Sequence, residues 1–208
     1  MKKHISLLAV LIASLAIFAE APNLTIGLRG CMGMNFFDFD CGDWSGDTKL
    51  AAGFGGNAFV SVSLPFVENL SLQPEIGIHY HAIKIDRKTA DRDFNFTMLE
   101  IPVMVTYSFH LNELLFLQPE LGPRISVLLG KINGDDEYSI KYPFNLGFEA
   151  GLTFGVKTGP GHILINTRFV RDFTKITVDN TLKHTANGDL LGSVQCTNIS
   201  VGYQMQLF

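Results

Sequence analysis

Three arginines and three glutamates fall at positions that alternate with apolar residues: Arg29, Arg124 and Arg168, with Glu75, Glu100 and Glu149. Charges withdrawn from water are costly unless they are paired and hydrogen-bonded. A set with three of each sign therefore reads first as a self-neutralising polar network. A gated path for a small solute or ion comes second, and a catalytic carboxylate pair last. His79 and His81 are two residues apart, so in an extended chain they share a face and can chelate a metal. No third ligand is fixed by spacing, with only His162 as a candidate neighbour, so packed polar histidines are preferred and no metal is expected. Asp38, Asp40, Asp43 and Asp47 interleave with Phe36, Phe37, Phe39 and Trp44. Oxygen ligands at D-x-D spacing suit calcium, but the order of an EF-hand loop is missing. A solvated acidic loop with interfacial aromatics is the better reading, which makes Asp38, Asp40, Trp44 and Asp47 candidate interaction residues.

The chain holds three cysteines, Cys31, Cys41 and Cys196, and any of the three pairings would leave one thiol over. No G-x-S-x-G, H-E-x-x-H or P-loop is present, and no cysteine has a histidine partner legible from spacing. Neither a catalytic residue nor a cofactor is therefore expected.

These residues are positioned by alternation. The final stretch, NISVGYQMQLF, puts Ile199, Val201, Tyr203, Met205 and Leu207 on one face, with Asn198, Ser200, Gly202, Gln204 and Gln206 on the other. Period two means a strand. Seven further segments alternate the same way, near 23–35, 52–64, 70–85, 96–109, 115–130, 143–157 and 162–174. In the seventh, Thr167 and Arg171 weaken the apolar face. Each segment can cross a bilayer when tilted, for which about 9–11 residues suffice. Pro74, Pro102, Pro119 and Pro123 fall inside strands and predict gaps in the hydrogen-bond ladder.

Composition agrees. The 208 residues are 47% hydrophobic and 17% charged, with 17 Phe and 20 Gly, and mean hydropathy is +0.21. A net charge of −4 speaks against nucleic acid as a partner. Residues 1–21 read as a secretory leader, with Lys2 and Lys3, an apolar centre from Ile5 to Phe18, and Ala19-Glu20-Ala21. Cleavage after Ala19 and after Ala21 both fit. Residues 22–208 form one domain in this reading, and no other segment reads as a membrane helix. The links then separate a soluble sandwich from a membrane barrel. Short links at 65–69, 110–114 and 158–161 alternate with long polar ones at 36–51, 86–95, 131–142 and 175–193. Tight turns at one end and long loops at the other are the asymmetry of an outer-membrane barrel.

TMLEIPVMVTY (97–107) followed by FLQPELGPRISVLLG (116–130) resembles the signature of small bacterial outer-membrane β-barrel proteins, the OmpA/OmpX-like eight-stranded relatives. NLSLQPEIGIHY (69–80) and INTRFVRDF (165–173) resemble the third and seventh strands of that family. A terminal aromatic is also typical, although Phe208 is in phase with Gln206 and Gln204 rather than with the apolar face. The resemblance implies an all-β, eight-stranded antiparallel up-and-down transmembrane barrel with both termini periplasmic. It implies outer-membrane lipid and the barrel-assembly machinery as partners, host or envelope ligands at the loops, and a monomer. The expected role is a structural or surface-interaction protein with adhesin-like loops. The alternative is a narrow channel or OmpW-like transporter for small or hydrophobic solutes.

Overall fold

The structure, a computed structural model, describes residues 24–40, 48–49, 51–85, 92–133, 139–174, 176–179 and 190–207. The expected leader, Cys41, Trp44, Asp47 and Phe208 lie outside them. The described residues form twelve strands: β1 (Leu24–Asp40), β2 (Thr48–Lys49), β3 (Ala51–Ser63), β4 (Leu70–Ile85), β5 (Arg92–Tyr107) and β6 (Phe109–His110). They continue with β7 (Leu115–Asn133), β8 (Ser139–Tyr142), β9 (Phe144–Thr158), β10 (Gly161–Asp172), β11 (Ile176–Asp179) and β12 (Leu190–Gln206). The eight long ones pair in chain order, each antiparallel to the next. β12 returns to β1, from Thr25 opposite Gln206 to Asp40 opposite Leu191. The sheet is thus a closed eight-stranded antiparallel barrel, and closure removes both edges.

Local chemistry makes the short links tight. Asn69 and Gly159 take the left-handed conformation, with φ of 63° and 57°, which asparagine and glycine adopt at least cost. The Asn112 side chain accepts the Leu114 and Leu115 amides at 2.8 and 2.9 Å. At the other end the strands run further than alternation implied. β1 continues to Asp40 because β12 extends equally far to pair with it, so Asp38 and Asp40 sit in a strand opposite Ser193 and Leu191 rather than in a loop. β8 and β11 likewise occupy segments expected to be links. β11 pairs with β12 and with β8.

The prolines interrupt the ladder as their missing N–H requires. Pairing lapses between Phe59/Glu75 and Val62/Leu72, where Pro74 sits. It lapses again between Pro74/Val103 and Gly77/Glu100, beside Pro102. A third lapse, between Pro102/Arg124 and Val105/Leu121, contains Pro123. Opposite Pro119 the ladder breaks between β5 and β6.

The apolar face is outside. Leu28, Met32, Phe54, Ile78, Leu121, Ile165, Ile199 and Val201 are all exposed. On β10 this face runs Ile163, Ile165, Phe169, and ends at exposed Arg171. Val62 departs from the pattern. Its phase is outward, yet it is buried between its partners Leu24 and Leu72. An arginine at Ile165, between Val201 and Phe154, is expected to cost about 2–4 kcal/mol of stability in a bilayer. Urea unfolding of vesicle-inserted protein measures this, and Arg171→Leu should cost nothing comparable.

Candidate functional site

The inward positions bring Arg29 from β1, Glu75, His79 and His81 from β4, Glu100 from β5, Arg124 from β7, Glu149 from β9 and Arg168 from β10 into one buried cluster. Glu120 and Asp172, in the inward phase of β7 and β10, join them. Matched charge was the sequence expectation. The structure corrects it, with five buried carboxylates against three guanidinium groups among the described residues.

Arg168 is the hub. It donates to both oxygens of Glu75 at 2.6 and 2.9 Å, to Glu149 Oε2 at 3.0 Å, and through Nε to Glu120. Arg124 reaches Glu100 Oε1 at 2.7 Å, Asp172, and Glu149 Oε1 at 3.7 Å. Arg29 donates to Glu75 Oε1 at 3.1 Å and lies 4.6 Å above the Phe59 ring. Neutral donors meet the surplus of carboxylate. Gln73 and Asn57 donate to Glu75 at 2.7 and 3.1 Å, Asn166 to Glu120 at 2.7 Å, and Asn145 to Asp172 at 3.0 Å. Carboxylates so surrounded keep their lone pairs occupied out of water.

Below this network, towards the short turns, lies an apolar layer that alternation alone did not reveal. Phe59, Phe116 and Leu164 pack together inside the barrel. Each aromatic ring covers a glycine on the next strand, Phe59 over Gly27 and Phe116 over Gly155. His162 belongs here, edge-on to Phe116 at 5.2 Å with His110 against the same ring, and so is not a neighbour of His79 or His81. The signal available in sequence was weak: two phenylalanines in the inward phase, each opposite a glycine once the register is known.

His79 and His81 lie on Glu100, with Nε2 at 3.7 and 3.4 Å from its two oxygens. Among the described residues no group of three His, Cys, Asp or Glu side chains is arranged to hold a metal ion. Cys31 and Cys196 are both free thiols. Closure places Cys31 opposite Ser200 and Cys196 opposite Asn35, so the two are four residues apart along the seam. The expectation that no cysteine has a histidine partner is overturned. Cys31 Sγ is 3.6 Å from His79 Nδ1, a pairing made across strands that sequence spacing could not show. For the acidic segment, Asp38 and Asp40 are placed by backbone alone.

The cluster neutralises much of its own charge and links strands across the lumen. An eight-stranded barrel is just wide enough to be filled by side chains, and here a charged layer and an aromatic one lie inside it.

The family described as outer membrane protein beta-barrel domain matches residues 18–178. No curated protein sequence matches this one. Among solved structures, the outer membrane protein OprG from Pseudomonas aeruginosa is similar over 90% of this chain and 97% of its own, with TM-score 0.64 and 10% identity. The outer membrane protease OmpT from Escherichia coli is similar over 90% and 98%, with TM-score 0.50 and 8% identity. At these identities the likeness is one of fold.

Proposed function

Since the chain belongs to the outer membrane protein β-barrel domain family, and is thereby an integral protein of the bacterial outer membrane, we propose that it serves as a closed scaffold whose long links form a surface-interaction site. Both termini and the short turns face the periplasm in this reading, and the long links face outwards to host or envelope ligands. One observation carries it: Arg168 ties β10 to β4, β7 and β9 across the lumen through Glu75, Glu120 and Glu149. A guanidinium held by three carboxylates occupies the place where a pore would run.

Planar-bilayer recording on the refolded protein tests the closed lumen. No steady conductance is expected, and sustained open channels would overturn the reading. Deleting residues 180–189 should leave the barrel folded but remove binding to its surface ligand. Unchanged binding in both this deletion and one of 41–47 would sink the loop assignment.

A second reading, a transporter releasing small apolar solutes sideways through the wall, draws support from the ladder gaps. Those at Pro74, Pro102 and Pro123 are contiguous across β3, β4, β5 and β7 and form a diagonal seam of weakened pairing. Faster entry of an apolar solute into vesicles carrying the protein, without conductance, would favour it.

A further inference from the structure

Cys31 on β1 and His79 on β4 meet across the intervening strand β3. Both pair with Gly55. A Cβ at residue 55 would stand 2.7 Å from His79 Cγ and 2.8 Å from Nδ1. Only glycine therefore lets the imidazole lie over β3, where Nδ1 comes within 3.6 Å of Cys31 Sγ. The other ring nitrogen, Nε2, is 2.7 Å from Asn57 Oδ1. The Asn57 amide has a fixed sense, because its Nδ2 donates to Glu75 Oε2 at 3.1 Å. Oδ1 is thus the acceptor, and Nε2 carries the hydrogen. Glu100 Oε2, 3.7 Å from the same nitrogen, favours the same tautomer.

Nδ1 then offers its lone pair to the thiol. Thiol, base and orienting amide stand in the relation that activates a nucleophilic cysteine. Two further observations bear on it. His81 is 3% exposed and its ring is stacked 6.3 Å from that of His79. Its Nε2 lacks a hydrogen bond and faces Glu100 at 3.4 Å. The Glu100 carboxylate that would stabilise a His79 imidazolium therefore lies between the two rings. Cys31 is also partly exposed, whereas Cys196 is 1% exposed.

We propose that Cys31 is a nucleophilic thiol site for small uncharged Michael acceptors, α,β-unsaturated carbonyl compounds, with His79 as its base and Asn57 as a positioning residue. The ligand is small because side chains crowd the lumen, and it is not an anion because carboxylates outnumber guanidinium groups around it. The step balances without an oxidant or a leaving group. His79 Nδ1 takes the thiol proton, sulfur bonds the β-carbon, and the π pair moves towards the carbonyl. The α-carbon then receives the proton that His79 holds.

The test is alkylation of the refolded full chain in detergent micelles by N-ethylmaleimide, followed by peptide mass mapping of each cysteine. Folding is checked by heat-modifiable gel mobility. Cys31 should react faster in the folded protein than in urea at the same pH, and Cys196 should stay unmodified until unfolding. His79→Gln should slow Cys31 about 100-fold, the usual scale of a lost general base. Asn57→Ala should slow it less and alter its pH profile, and Cys31→Ser should remove the adduct. A folded-state rate at or below that in urea overturns the proposal, as does an unchanged rate in His79→Gln. Should that variant fail to fold, the comparison with urea and the Asn57→Ala profile still decide, and a wild-type profile in Asn57→Ala overturns its positioning role.

Discussion

Replacing Arg168 with alanine is expected to keep the barrel from reaching a stable folded state. The side chain is buried and contacts Glu75, Glu120 and Glu149. Breaking one buried pair costs about 3–5 kcal/mol, because the partner is left charged and uncompensated. Here three carboxylates lose a partner at once, and among the described residues Glu149 keeps only Arg124, at 3.7 Å. Against a folding free energy of roughly 5–15 kcal/mol, that loss removes most or all of the stability. Gel mobility and urea titration in micelles report it. Arg168→Lys should be intermediate, since an ammonium keeps the charge but not the planar fork that reaches Glu75 twice. Adding Glu120→Gln to the alanine variant should recover part of the loss. A wild-type unfolding midpoint for Arg168→Ala would show that the network does not hold the lumen.

Truncating Phe116 to alanine is expected to cost about 3–5 kcal/mol, the range for a buried aromatic that leaves a cavity. The ring packs with Phe59 and Leu164 and lies over Gly155, where even a Cβ would come within 2.1 Å. No neighbouring side chain on that strand position can move in to fill the space. The urea midpoint should fall with little change in slope, since the surface exposed on unfolding is nearly the same. Phe109→Ala on the outer face is the control. Its ring is 51% exposed, so its removal leaves no internal cavity.

The barrel wall was legible because period-two alternation is a local property. In β4, Gln73, Glu75, His79 and His81 face one way and Leu72, Ile76, Ile78 and Tyr80 the other, as their spacing implied. The prolines spoke as directly, since a residue without an N–H leaves a gap wherever its partner lies. Less legible were strand ends. Asp38 and Asp40 look like loop residues by composition, yet β1 carries them because β12 runs alongside. The contents of the lumen were half legible. Polar inward residues were visible, whereas Phe59, Phe116 and Leu164 hid among residues whose outward neighbours are equally apolar.

By itself the sequence determined the strands, their two faces, the order of short and long links, and so a barrel with apolar residues towards lipid. These follow from side chains alternating along an extended backbone, which needs no knowledge of distant partners. Only the tertiary structure decided which inward residues touch. Arg168 meets Glu75 across 93 positions of chain, and Cys31 meets His79 across 48. Such meetings depend on the stagger with which neighbouring strands pair and on the closure of β12 against β1. Neither is encoded in any one segment, because register is a property of pairs of strands and closure a property of all eight.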